Sequence, residues 1–307
     1  MRFLFVGRFT NVGGSIKATL PFILKLRTLG YTVDLAHWET PNQVSFLKEN
    51  NLFNLELHTK RNLLTKVIYL IQSASKYDVI IAISELTVTY SCQIAGLLNK
   101  IPVIGEIQVY LDAWIENNSS PFHRYLCRLF YPKLTAVRCV SQELSKYAVN
   151  EIGISSAKVF TVYNPFDLSA IEELSQQPLP EPAKNWVQNP FILCAGRLEK
   201  QKRFDLAIAA FKIVKKRIQI PIKLIILGEG SEKEVLQQEI IKSNIEDHTW
   251  LAGYYSNPYP FFTNATAFLL CSDYEGFGRV IVDAMAVGCP VIANNCPVGP
   301  TEILQHG

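Results

Sequence analysis

Short apolar runs alternate with stretches of helical period along most of this 307-residue chain. In the first half, Phe3 to Val6, Tyr31 to Ala36, Val79 to Ile83, Val103 to Ile107 and Ala136 to Ser141 predict buried strands. Phe191 to Ala195, Leu224 to Leu227 and Ala267 to Leu270 predict the same in the second half. Between these runs, Ser15 to Leu29 and Phe204 to Lys216 repeat apolar residues at helical spacing. So do Val280, Ile281, Ala284 and Met285, before Gly288 closes that segment. Strands that are apolar throughout, alternating with helices, predict an α/β chain whose parallel sheets are buried on both faces.

Ala136 to Ser141 is expected to be the last strand of the first half, with Val159 to Tyr163 leading into the turn Asn164-Pro165-Phe166-Asp167. Prolines at 178, 180, 182 and 190 then suggest a linker or irregular crossover. The expected organisation is a first domain over 1–165, a linker over 166–190 and a second domain over 191–307. A chain that is 49% hydrophobic can bury two cores of this size. The start, MRFLFVGRF, is too short an apolar run for a signal peptide or a membrane span, so a cytoplasmic location is expected. Seven scattered cysteines without C-x-x-C spacing read as small buried hydrophobes in a reducing compartment. His37, His58, His123, His248 and His306 lack metal-ligand spacing, so neither metal nor cofactor is expected.

Charge divides unevenly. Residues 1–165 carry 17 Lys and Arg against 11 Asp and Glu, whereas residues 166–307 carry 13 against 16. Much of the basic excess lies in His123 to Lys133, where cations interleave with aromatics. Such a segment is either an ordinary amphipathic helix with a solvated basic face or a surface for anionic lipid headgroups.

Candidate chemistry sits where apolar runs meet turns. Gly13-Gly14 precedes a helix, a place where backbone amides can approach an anion. Gly196 to Lys202 repeats that arrangement after a strand and adds Arg197 and Lys202, and Gly228-Glu229-Gly230 repeats it again. Glu275 lies in the turn after Ala267 to Leu270 and Asp283 in the helix that follows, so both carboxylates can face the crevice at a strand's carboxyl end. Gln108 ends another strand, with Glu106 and Asp112 nearby; an amide there can donate a hydrogen bond but cannot act as a titrating base, and the two carboxylates read first as surface or cap residues.

The run Glu275-Gly276-Phe277-Gly278-Arg279-Val280-Ile281-Val282-Asp283-Ala284-Met285-Ala286-Val287-Gly288-Cys289-Pro290-Val291-Ile292-Ala293 resembles E-G-F-x-x-V-x-x-E-A-M-A-x-G-x-P-V-I-A, the signature of the retaining glycosyltransferases of family 4. Gly196 to Lys202 resembles that family's G-R-L-x-x-x-K-G-F-D, with Arg203 in the glycine's place, and Asn164 to Asp167 resembles its N-x-x-D. The resemblance implies the GT-B architecture: two Rossmann-like domains with parallel sheets facing across a cleft, donor held mainly by the second and acceptor by the first. It implies that Glu275 binds hydroxyls of the transferred sugar and that Asp283, where the family usually has Glu, holds the ribose of the donor. Arg197 and Lys202 would clamp the donor diphosphate, with Gly13 and Gly14 beside the diphosphate or the acceptor. Gln108 stands where many members carry a histidine near the donor sugar. Gly253 and Tyr254 would line the nucleotide base, and Phe277 and Gly278 complete the implied substrate-binding set.

The reaction so implied moves a hexose or acetamidohexose from a nucleotide diphosphate sugar, UDP-linked by the likeness of the CPVGPTEIL ending to bacterial polysaccharide and lipopolysaccharide assembly enzymes, to a hydroxyl of a glycan or lipid-linked acceptor. It proceeds with retention, by front-face attack, the leaving phosphate taking the acceptor's proton. Asp273-Tyr274-Glu275 resembles a D-x-D metal motif only superficially, because Arg197 and Lys202 already supply cationic charge. The implied partners are the nucleotide sugar, the glycan or lipid-linked acceptor and an anionic membrane surface on its inner face, with no nucleic acid. The chain stops at Gln305-His306-Gly307, where the family continues through another strand and several helices, so a truncated C-terminus is expected. Two alternatives stay open: another GT-B enzyme such as a UDP-sugar epimerase, and a truncated, non-catalytic sugar-nucleotide-binding protein.

Overall fold

The opening apolar run forms β1 (Arg2–Gly7), whose last four residues are buried. The computed structural model describes residues 1–9, 14–39, 54–55, 57 and 62–305, with 14–17 and 54–55 by backbone alone. Around β1, parallel pairing assembles β2 (Thr32–His37), β3 (Asn54–Leu55), β4 (Val79–Ala82), β5 (Val103–Ile107), β6 (Ala136–Cys139) and β7 (Val159–Thr161). The sheet order is β3-β2-β1-β4-β5-β6-β7. From β1 the chain winds one way to β2, and from β4 it winds the other way to β5. The loops after β1 and β4 therefore diverge and leave a crevice at the carboxyl ends of the strands.

Two strands depart from the sequence expectation. Ala136–Cys139 is not the last strand of its sheet, because Val159–Thr161 pairs with it in parallel. That edge strand leaves Phe160 54% exposed, so its position is set by backbone hydrogen bonds more than by an apolar signature. The two-residue β3 is too short to leave any pattern.

The second unit repeats the design with β8 (Phe191–Ala195), β9 (Lys223–Leu227), β10 (Thr249–Gly253), β11 (Ala267–Leu270) and β12 (Val291–Ala293), in the order β10-β9-β8-β11-β12. All pairs are parallel. Phe191, Leu193, Ile225 and Leu227 point into one core with Phe261, Phe262, Phe268 and Ile281. Cys194, Leu224 and Ile226 point into another with Phe204, Ile208 and Phe211. The side-chain period of two thus feeds two cores from one strand, which is why these strands read as unbroken apolar runs. Met285 shares the helical spacing of Ile281 and Ala284 yet is 47% exposed, whereas those two are buried.

Residues 166–190 carry the helices Leu168–Ser175 and Glu181–Lys184. Asp167 caps the first by accepting a hydrogen bond from Ala170 N at 3.0 Å. The stretch is fastened to the second sheet's layers: Asn257 Nδ2 donates to Leu174 O at 2.8 Å, and Trp186 stacks on Trp250 with ring centres 5.6 Å apart. The chain accordingly divides into compact units Met1–Phe166 and Asp167–Gly307. All seven cysteines are free, and all but Cys271 are buried.

At the carboxyl ends of β8 and β9 the backbones nearly touch. Gly228 adopts φ +139°, and a methyl group added there would lie 1.8 Å from Gly196 O. Gly228→Ala should therefore lower unfolding stability by about 2–4 kcal/mol, read by denaturant titration; a loss within about 0.5 kcal/mol would mean the approach is not fixed.

Candidate functional site

β8 and β11 lie side by side, but the chain leaves β8 toward β9 and leaves β11 toward β12, so the second sheet reverses direction between them. The loops that follow, residues 196–203 and 271–278, meet at that reversal. They are laced together over their length. Asp273 N donates to Gln201 O at 2.9 Å, Gln201 Nε2 donates to Tyr274 O at 2.7 Å, and Arg203 Nη1 pairs with Asp273 Oδ1 at 2.9 Å. Deepest of these ties is Lys202 Nζ on Glu275 Oε1 at 2.5 Å, with side chains only 15% and 9% exposed. Ser272, fully buried, donates to the same Oε1 at 2.7 Å. Glu275 thus receives an ammonium and a hydroxyl on one oxygen, and no donor among the described residues reaches Oε2.

Sequence reasoning picked out Lys202 and Glu275 but missed the lacing. Arg203, at the place of the family's glycine, adopts φ +49°, the left-handed region that disfavours side chains. Its ion pairs to Asp205 at 3.0 Å and Asp273 at 2.9 Å oppose that strain while bridging the two loops. Asp273 and Glu275 are each held by a cation, and among the described residues no group of three His, Cys, Asp or Glu could hold a metal ion.

Arg197 lies at the start of the first loop with its side chain exposed and, among the described residues, without an ion pair. Two helices start at this edge: Phe204–Arg217 after the first loop and Arg279–Ala286 after the second, the latter with Gly278 as its N-cap residue. Their free amide groups favour negative charge there. Asp283 lies farther along the second helix and accepts a hydrogen bond from Tyr259 Oη at 3.2 Å. Burial, with Asp283 beside it, raises the Tyr259 hydroxyl above its ordinary range, and burial lowers the Arg279 guanidinium. Gly253 ends β10, and Tyr254 beyond it is 47% exposed. Phe277 is half-buried, next to Gly278.

In the first unit, Gly13 lies outside the described residues, and Gly14 opens the helix Gly14–Thr28. Gln108 follows β5; its backbone N donates to Glu85 Oε1 at 2.8 Å and its Nε2 to Glu106 Oε2 at 2.5 Å. Glu106 is no surface carboxylate: it is 4% exposed and pairs with Arg138 at 3.0 Å. Burial still raises its pKa, against the opposing charge of Arg138. Asp112, by contrast, sits in the first turn of the helix Leu111–Asn118 and pairs with Arg124 at 3.4 Å.

Residues 178–307 match the family described as Glycosyl transferases group 1. The chain is 30% identical over 220 residues to an uncharacterized glycosyltransferase of Methanocaldococcus jannaschii, a match covering 68% of this chain and 53% of that protein. It is 32% identical over 202 residues to N-acetylgalactosamine-N,N'-diacetylbacillosaminyl-diphospho-undecaprenol 4-alpha-N-acetylgalactosaminyltransferase of Campylobacter jejuni, covering 66% of this chain and 53% of that one. The chain spans about half the length of these curated relatives. In fold it superposes on Anabaena HepE, solved in complex with UDP-glucose, with a TM-score of 0.79 at 21% identity, over 99% of this chain and 82% of that one. The architecture is that of GT-B proteins, α/β with two parallel sheets. Residues 178–307, which carry both laced loops, thus match the glycosyl transferases group 1 family.

Proposed function

We propose that this chain is a retaining glycosyltransferase that moves a hexose or acetamidohexose from a nucleotide diphosphate sugar, UDP-linked, to a hydroxyl of a glycan or lipid-linked acceptor. The observation that carries this reading is the buried Lys202–Glu275 pair at the reversal point of the second sheet. Glu275 Oε2 is available to accept from a sugar hydroxyl. Lys202, the exposed Arg197 and the two helix N-termini supply positive charge for a diphosphate as it departs. Preorganised charge of this kind stabilises the leaving group without a titrating nucleophile. Asp283 serves the ribose in this reading, steadied by Tyr259. The Campylobacter relative's name carries a diphospho-undecaprenol acceptor, and HepE was solved with UDP-glucose; both support the donor and acceptor classes proposed.

A lipid-linked acceptor would bring the chain to a membrane. Among the described residues no helix is long and apolar enough to cross one. The helix Phe122–Phe130 instead presents Phe122, Tyr125 and Leu129, 61%, 61% and 37% exposed, along one stripe. Its neighbour Thr87–Asn99 exposes Leu97 and Leu98. Arg128 on the first helix, Lys133 just beyond it and Lys100 after its neighbour are exposed as well, a mixture of apolar and basic groups that matches the chemistry of an anionic lipid surface. We assign this face to such a surface, as a peripheral contact.

Donor turnover is tested with UDP-, GDP- and ADP-sugars. Glu275→Gln should lower kcat by about 100-fold or more while UDP affinity by calorimetry stays within about twofold. Wild-type binding of every nucleotide sugar without turnover would identify a non-catalytic binding protein. For the ribose contact, Asp283→Ala should weaken UDP binding by about tenfold with little loss of kcat at saturation. Unchanged UDP affinity would reduce Asp283 to a partner of Tyr259. For the membrane face, the chain should co-sediment with phosphatidylglycerol vesicles and not with phosphatidylcholine vesicles, and Phe122→Ser with Tyr125→Ser should abolish this. Equal recovery with both lipids, or with the double variant, would refute the assignment.

A further inference from the structure

The amino ends of the first sheet's strands border a polar cleft of about 470 Å³ that no step of the proposed reaction uses. Arg2 of β1 and Asp34 of β2 line it from the sheet. Tyr69, Gln72 and Ser73 line it from the helix Leu63–Ala74, where their spacing places them on one face, and Lys76 follows in the turn beyond. This is the edge of the sheet opposite the one that carries Gln108.

Asp34 stands out among these residues. It lies inside a strand that is otherwise apolar from Val33 to Ala36, in register with the buried Leu4, and is 8% exposed. A carboxylate so placed is costly unless its oxygens are satisfied. Oδ2 accepts from Tyr77 Oη at 2.9 Å and lies 3.8 Å from Arg2 Nη2. Burial, with Asp34 beside it, raises the Tyr77 hydroxyl well above its ordinary range, so this donor keeps its proton. Oδ1 accepts from no described residue. The donors around it are equally uncommitted. Arg2 N is fixed on Asp78 Oδ2 at 2.7 Å, but the guanidinium rests over the Tyr77 ring, 5.2 Å from its centre, and donates to no described residue within hydrogen-bond distance. The Lys76 ammonium, the Ser73 hydroxyl and the Gln72 side-chain amide likewise bond to no described residue.

We propose that this cleft is a binding site for a hexose phosphate, with a sugar hydroxyl donating to Asp34 Oδ1 and the phosphate lying against Lys76 and Arg2. Two cations against one carboxylate select an anion, and they would repel an amine from Asp34. A bare phosphate leaves the buried carboxylate without a donor and is itself repelled by it. One molecule carrying both a hydroxyl and a phosphate satisfies both ends, and Gln72 and Ser73 offer further hydrogen bonds between them. The volume lies within the range of small-molecule sites and accommodates one sugar ring with its phosphate. The site rests on the first unit alone and is independent of the glycosyltransferase reading.

The test is calorimetry of the whole chain with glucose 1-phosphate, glucose 6-phosphate, glucose and inorganic phosphate. At least one hexose phosphate should bind with a Kd of about 1 mM or tighter, and about tenfold more tightly than glucose or inorganic phosphate. Saturating UDP should leave this binding unchanged. Lys76→Ala, at an exposed position, should weaken it by about tenfold. Asp34→Asn keeps the side chain's size and a partner for Tyr77; it should weaken hexose phosphate by about tenfold while inorganic phosphate binds as well as before or better, a split that general damage to the fold does not produce. Should Asp34→Asn fail to fold, Lys76→Ala still decides. Displacement by UDP, equal affinity for hexose phosphate and inorganic phosphate, or unchanged binding in Lys76→Ala overturns the site. So does Lys76-dependent capture on phosphatidylinositol vesicles without binding of either hexose phosphate, which would assign the cleft to a lipid headgroup instead.

Discussion

The second unit depends on an ion pair placed where ion pairs are expensive. Lys202 and Glu275 are both largely removed from water, and taking two charges out of solvent costs several kcal/mol each before their attraction is counted. The pair survives because its surroundings are already fixed. β8 and β11 are hydrogen-bonded neighbours, the loops that leave them are tied by backbone and side-chain bonds on either side of the pair, and Ser272 supplies a further donor to the same oxygen. Charge held this rigidly is poorly optimised for stability and well suited to meeting a ligand's charge without reorganisation.

The same constraint recurs in the first unit with a different balance. Both sheets are parallel and both reverse their winding once, so each gathers polar residues at the carboxyl edge beside the reversal. In the second unit Glu275 has Lys202, and Asp273 shares Arg203 with Asp205. In the first unit Arg138 serves Glu106, Glu85 accepts from the backbone of Gln108, and the exposed Arg8 is engaged by Glu39.

Much of this was legible along the chain because strands buried on both faces must be apolar throughout. β1, β4, β5, β8, β9 and β11 therefore stand out as unbroken runs, and Gly288, with φ +74°, closes the helix Arg279–Ala286 as its sequence indicates. The signature residues Arg197, Lys202, Glu275 and Asp283 were visible for another reason: their types and spacing carry chemistry that packing alone does not require. Edge elements were not legible. β7 exposes Phe160, and the stretch 166–190 looks like a proline-rich connection although two helices and the Trp186–Trp250 stack fasten it to the second unit.

The sequence by itself determined the fold class, the strands that see two cores and the identity of the charged residues on the two loops, since each of these is written in local composition and period. Only the tertiary structure decided which of those charges meet. That Lys202 reaches Glu275 across 73 positions, that Arg203 bridges to Asp273, and that Glu106 is buried against Arg138 while Glu85 accepts from the backbone of Gln108 follow from strand order. Strand order is set by long-range pairing and crossover direction, and no window of neighbouring residues contains either.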